Sequence, residues 1–113
     1  MNRKKLFADA IAVLMVMALS GCASLPNSGV DKIGNRNVEF AMTRHDTLPV
    51  VFENGLGGRM EWWKKVLTTI SNDTTTFAYN RPGYGNSDPA ATPRDGLHIL
   101  DEVRALLRNK GLK

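Results

Sequence analysis

At 113 residues, with 42% hydrophobic and 23% charged positions, the chain is long enough for one modest domain and too short for two. Its formal charge of +4 lies partly in the first few residues, and no stripe of interleaved aromatic and basic side chains accompanies it, so nothing points to nucleic acid. One cysteine, Cys22, rules out an intramolecular disulfide, and two distant histidines, His45 and His98, make no metal-ligand set.

The amino terminus carries Arg3, Lys4 and Lys5, then an apolar run from Ala10 to Leu19, then small residues. That order describes a secretory signal peptide, and the run is too short to span a bilayer. It ends in Leu19-Ser20-Gly21-Cys22, which resembles the lipobox of bacterial lipoproteins. The resemblance implies a signal peptide over 1–21, cut before Cys22, and lipidation of the Cys22 thiol, with membrane lipid as its partner. Two or three acyl chains exceed the threshold for stable attachment, each buried methylene contributing roughly 0.8 kcal/mol. Ala23 rather than Asp after the cysteine favours, by the same resemblance, the periplasmic side of the outer membrane in a Gram-negative host. Removing residues 1–21 takes away Arg3, Lys4, Lys5 and Asp9 and leaves a charge of +2, which is unremarkable. Residues 22–29, with Pro26, Asn27, Ser28 and Gly29, read as a polar tether to a domain over 30–113.

Within that domain, 30–33 and 38–43 are strand candidates around Gly34-Asn35-Arg36-Asn37, and Val38, Phe40 and Met42 alternate with polar or small residues, as in a hairpin with one wet face. A turn through His45 leads to Pro49. Val50 to Phe52 is a short apolar run without polar alternation, so it reads as a strand buried on both faces in the middle of a sheet. It opens into Asn54-Gly55-Leu56-Gly57-Gly58, the carboxyl end of a strand, where open α/β sheets place their ligands and where glycines let backbone N–H groups approach a negative atom.

Met60, Trp62, Trp63, Val66, Leu67 and Ile70 recur at helical spacing, which predicts an amphipathic helix that packs both tryptophans. Thr74 to Tyr79 makes the next strand, and the resulting βαβ unit requires it to run parallel to 50–52. A Pro- and Gly-punctuated loop follows over 80–89. Thr92 as cap, Pro93 at the first helical position and Asp95 two residues later predict a second helix, with Leu97, Leu100, Val103, Leu106 and Leu107 on its apolar face and Gly111 at its end.

A hairpin, a strand ending in Asn-Gly-Leu-Gly-Gly, a Trp-bearing helix and a strand ending in Asn80-Arg-Pro-Gly-Tyr-Gly-Asn-Ser87-Asp together resemble the amino-terminal part of an α/β-hydrolase. The resemblance implies an α/β fold with an incomplete sheet of order 1-2-4-3-5 onward. It also implies serine-dependent hydrolysis of a small ester or amide without a cofactor. The backbone N–H of Leu56 then becomes an oxyanion-hole donor, with Asn54 where the family commonly has His and Asn80 where it commonly has an acid. Asn54, Gly55, Gly57, Arg81, Gly83 and Gly85 would line the site.

The nucleophile that such chemistry needs has no G-x-S-x-G here, and Ser87 reads as a turn or capping residue; His45 and His98 read as surface residues. The sequence is therefore expected to be a truncated, exported hydrolase, inactive alone and marginal in stability because the strand at 50–52 loses a neighbour. The alternative from another class is a non-catalytic, membrane-tethered binding or envelope module. A dinucleotide site is disfavoured, because Met60 stands where a third glycine is needed and Asn80 where an acid is needed.

Overall fold

The computed structural model describes Leu25 and residues 27–112. The segment expected to be a signal peptide, Cys22, and residues 23, 24 and 26 of the expected tether lie outside the described residues.

Four strands form one mixed sheet of order β1-β2-β4-β3. β1 (Ser28–Ile33) and β2 (Arg36–Thr43) make an antiparallel hairpin, closed at Gly34, whose φ of 59° falls where glycine has no steric penalty. Both strands begin two residues earlier than the alternation suggests. β2 pairs antiparallel with β4 (Thr76–Tyr79), placing Phe40 opposite Tyr79. β4 pairs parallel with β3 (Val50–Phe52), so the βαβ expectation holds.

β4, not β3, is the strand covered on both faces: all four of its residues are buried. Thr76 and Ala78 face one helical layer, and Phe77 and Tyr79 face the other, as strand alternation requires. β3 lies at the edge of the sheet, with Val50 and Val51 41% and 37% exposed, which corrects its reading as a central strand. Three consecutive apolar residues are compatible with an edge when only the last, Phe52, is needed in the core.

One face of the sheet carries a 3-10 turn (Met60–Trp63) running into a short helix, α1 (Lys64–Ile70), rather than a single helix. Leu25, Ala41, Phe52, Met60, Leu67 and Ala78 form the core there. Trp63 packs on Phe52 at 5.1 Å between ring centroids, whereas Trp62 is 74% exposed, because the tighter 3-10 turn rotates it off the packed face. Only one tryptophan is therefore a packing residue.

The other face carries α2 (Gly96–Asn109), whose Leu106 joins Val38, Phe77, Tyr79 and Leu112 in a second core. Phe40, Phe77 and Tyr79 stack in a row beneath it, at 6.1 and 6.2 Å between successive centroids. The helix starts later than Thr92: Asp95 is the N-cap, its carboxylate accepting from the His98 N–H at 3.0 Å, and Pro93 stays in the preceding loop behind a cis peptide bond. Asp95 wins because its side chain reaches the third N–H of the helix directly. Gly111, at φ 65°, ends the helix, with Leu112 N–H returning to the Leu107 carbonyl. Val103, Leu106 and Leu107 pack on the sheet, but Leu97 and Leu100 remain exposed.

Truncating the buried Leu106 to Ala is expected to cost about 2–5 kcal/mol, as a lower denaturation midpoint at unchanged slope. Leu97→Ala should stay within about 0.5 kcal/mol, since its side chain faces solvent.

Candidate active site

The site is built from two turns at the carboxyl ends of β3 and β4. In the first, the Asn54 side chain is buried and acts as a two-way staple. Its Nδ2 donates to the Tyr79 carbonyl at 3.0 Å, and its Oδ1 accepts from Trp63 Nε1 at 2.8 Å. Gly58 N–H closes on the Gly55 carbonyl at 3.0 Å, and a Cβ at Gly58 would press on that carbonyl at 3.2 Å. Gly57 turns the chain at φ 79°. Between them, Leu56 stands on a fixed backbone with its side chain 96% exposed, and among the described residues its N–H donates to nothing. A free N–H on a braced turn is what anion stabilisation needs.

The second turn is held from below by β2. Asn80 is fully buried; its N–H donates to the Glu39 carbonyl at 2.9 Å, its Oδ1 accepts from Met60 N–H at 2.8 Å, and its Nδ2 donates to Glu39 Oε2 at 2.9 Å. Ser87 Oγ donates to the Asn80 carbonyl at 2.8 Å and accepts from Glu39 N–H at 2.9 Å. Asp88 extends the pairing of β2, exchanging bonds with Asn37 at 2.7 and 2.9 Å. Gly83 and Gly85 take φ of 84° and 53°, and a side chain at Gly85 would collide with Glu39 Oε2 and Asn80 Nδ2.

Glu39 therefore sits inside this loop. Burial alone would raise its pKa, but bonds from Asn86 N–H at 2.8 Å, Asn80 Nδ2 and Asn86 Nδ2 at 2.9 Å, with the charge of Arg59, outweigh burial and hold it below the usual carboxylate value. Nearby, Arg81 Nε donates to Glu53 Oε1 at 2.6 Å, and the Tyr79 hydroxyl donates to Glu53 Oε2. Burial, then Glu53, pushes the Tyr79 phenol far upward, so it stays protonated. Arg94 grips Glu102 with two bonds, at 2.7 and 2.8 Å.

A cavity of about 200 Å³ opens between the two turns and the start of α2, lined by Leu56, Arg81, Pro82, Tyr84, Arg94 and Ile99. Of the residues expected at the site, Leu56 and Arg81 meet there. Asn54 and Gly85 instead face inward and brace the turns, while Gly55, Gly57 and Gly83 shape the backbone. Cys22 lies outside the described residues. Ser87 has both hydroxyl functions committed to the backbone and is a structural residue. His45 bonds the Ser71 carbonyl through Nε2 at 2.8 Å and His98 bonds Asp95 at 2.7 Å, so neither approaches the turns' polar network. Among the described residues no group of three or more His, Cys, Asp or Glu side chains is placed to hold a metal. Glu39, Glu53 and Arg94 escaped the sequence reading. Glu39 sat at a position that alternation assigns to a wet face, and only the loop that folds over it reveals its task.

No family model matches the chain. It is 36% identical over 72 residues to a putative carbamate hydrolase, RutD, of Pseudomonas syringae, covering 61% of this chain and 27% of that protein. It is 31% identical over 64 residues to an uncharacterized protein, YqjL, of Bacillus subtilis, covering 57% and 25%. Among solved structures, it superposes on Cfl2 of Burkholderia cenocepacia with a TM-score of 0.68 at 20% identity, over 74% of this chain and 29% of that one. A hydrolase from Pseudomonas aeruginosa gives 0.66 at 14% identity, over 78% and 34%. The chain has the amino-terminal part of the α/β-hydrolase fold. It spans about a quarter of the length of the curated relatives it matches. Within the α/β-hydrolase fold, the observed order β1-β2-β4-β3 is the opening of the 1-2-4-3-5 sheet that the sequence resemblance implies.

Ser87→Ala is expected to leave Glu39 N–H and the Asn80 carbonyl without their partner and to cost about 1–3 kcal/mol of stability, read from denaturant unfolding. A stable Ser87→Ala chain would contradict this structural role.

Proposed function

We propose that this chain supplies the oxyanion-side turns of an acyl hydrolase of the serine esterase, lipase or peptidase type, and that it does not turn over substrate by itself. The supporting observation is the braced Leu56 N–H at the carboxyl end of β3, beside the cavity it shares with Arg81. In such chemistry a serine attacks an ester or amide carbonyl, the carbonyl electrons move onto oxygen, and preorganised N–H groups take up the developing charge. Leu56 offers one such donor. The 113 residues contain no G-x-S-x-G, and the chain spans about a quarter of its curated relatives, so on this reading the nucleophile, acid and histidine are supplied by the part of such a hydrolase that this chain does not cover. The likeness to a protein called a putative carbamate hydrolase supports a carbonyl substrate bearing a heteroatom leaving group.

The same reading places the protein in the bacterial cell envelope, anchored through an acylated Cys22. The apolar run followed by Leu19-Ser20-Gly21-Cys22 supports it.

Sequencing the coding DNA past Lys113 and sizing the mature product tests the first part. In a product that continues into a nucleophile elbow, Leu56→Pro removes the donor and should lower kcat by about 10²–10³ on a p-nitrophenyl ester, while Leu56→Ala, which keeps the N–H, should not. Equal turnover by the two variants would refute the oxyanion role. For the anchor, labelling with radioactive palmitate should mark the protein and Cys22→Ser should abolish the mark.

A further inference from the structure

We infer that Glu39 and Asn80 are a matched acid–amide pair that positions the turn carrying Leu56. The inference rests on the reading of Leu56 as an oxyanion donor. Asn80 is a fully buried side chain with two demands of opposite kind. Met60 N–H, 2.8 Å from Oδ1, needs an acceptor, and Glu39 Oε2, 2.9 Å from Nδ2, needs a donor. The Asn80 amide meets both while Glu39 is ionised, and an ionised carboxylate in its place could not.

The pair reaches Leu56 through both ends of its turn. Met60 follows Gly58-Arg59 and starts the 3-10 turn, so the Asn80–Met60 bond fixes where the turn ends. Asn54 fixes where it begins, through its bond to the carbonyl of Tyr79, the residue before Asn80. Residues 79 and 80 therefore clamp residues 54 and 60, with Leu56 between the jaws. Glu39 is a positioning residue, acting on Leu56 only through Asn80.

An aspartate at position 80 would keep the bond to Met60 N–H but set two carboxylates against each other at hydrogen-bond distance. One of them must then hold a proton. The charge acting on Glu39 is that of Arg59, itself 3.6 Å from Glu61 Oε2, while Asp88 is bonded to Asn37, two residues along β2. The signs of the pH dependences therefore oppose each other. In the parent chain Glu39 has a folded pKa below its ordinary value of 4.5, so its stabilisation is complete above that pH and is lost as pH falls through the lower folded value. In Asn80→Asp the shared carboxylate pair has a raised folded pKa, so stability is lost as pH rises and returns as pH falls towards 5.

The double exchange Glu39→Gln with Asn80→Asp restores one acid and one amide, with the donor reversed. It gives up the Asn86 N–H contact, where Asn86 is exposed to water, and moves the negative charge attracted by Arg59 from residue 39 to residue 80.

The experiment is chemical denaturation of the full chain between pH 5 and 8, with the amide resonance of Leu56 followed by 15N-edited NMR. Asn80→Asp is expected to show a midpoint that rises on acidification and a displaced Leu56 resonance. The double exchange should remove the inverted pH slope and return the resonance towards its parent position. Thr43→Ala, which removes bonds to the Thr74 carbonyl and the Thr76 hydroxyl at the opposite end of β4, should leave that resonance in place. A parent-like pH slope in Asn80→Asp, an unmoved Leu56 resonance, or a double exchange no better than Asn80→Asp would each overturn the pair. Where Asn80→Asp does not fold at pH 8, Glu39→Gln alone decides: its midpoint below pH 5 should fall less steeply than the parent's, and an unchanged fall overturns the inference. None of these readouts requires turnover, so failure of the hydrolase reading would show separately, as equal turnover by Leu56→Pro and Leu56→Ala.

Discussion

A buried amide at the end of the central strand has no water to satisfy it, so every polar atom it carries must be answered by protein. Asn80 meets that constraint by reaching three ways at once: backwards to β2 through Glu39, across to the 3-10 turn through Met60, and forwards to its own loop through Ser87. Most of the local architecture follows from those three directions. Gly85 must lack a side chain because the Glu39 carboxylate fills the space where one would go. Ser87 must carry a hydroxyl because Glu39 N–H and the Asn80 carbonyl both point at it.

The same packing explains why stability and the candidate site are hard to separate. β4 is buried on both faces, and its carboxyl end leads straight into Asn80, so the strand that contributes to both cores also aims the loop beside the cavity. A rigid strand gives the turns a fixed base, as precise sites require. By contrast, the regions without such backing are peripheral: the open edge of β3 and the first turns of α2, where Leu97 and Leu100 meet solvent. These are among the exposed large apolar side chains of the described residues, and covering them would gain free energy from burial.

Element existence was legible in the sequence, because apolar period and glycine placement report it locally. The hairpin, the parallel βαβ unit, the Gly111 stop and the role of Ser87 as a turn residue all follow from neighbours within a few positions. Which strand is central was not legible. Val50-Val51-Phe52 is more uniformly apolar than Thr76-Phe77-Ala78-Tyr79, yet the latter is the buried one, since threonine and alanine suffice where helices close over both faces. Trp62 and Trp63 show the same limit: a 3-10 turn in place of α-helix turns one of two adjacent tryptophans outward, and period alone does not distinguish the two helices over four residues. Asp95 rather than Thr92 caps α2 for a reason that lies in which side chain reaches the third N–H. Glu39 was illegible for another reason. Its partners are 41 and 47 positions away, and a charged residue alternating with apolar ones is indistinguishable from a solvated one until the loop above it is placed.

On the proposed oxyanion reading, what Leu56 contributes is bounded by preorganisation. A donor to an oxyanion gives about 2.7–4 kcal/mol of transition-state stabilisation where such donors have been removed, and it gives this only if the N–H need not be reoriented when charge develops. A glycine-rich turn is poorly suited to that by itself, since glycines lose the most conformational freedom on ordering. The two side-chain staples, Asn54 to Tyr79 and Asn80 to Met60, supply the ordering that the glycines do not. The cost is placed outside the turn, in a carboxylate on β2 that must be desolvated and then repaid by three hydrogen bonds. On the same oxyanion reading, such a turn keeps its backbone open for an N–H to approach a carbonyl oxygen and still holds it in one place. The exposed Leu56 side chain, which braces nothing, is consistent with a position whose backbone is the functional part.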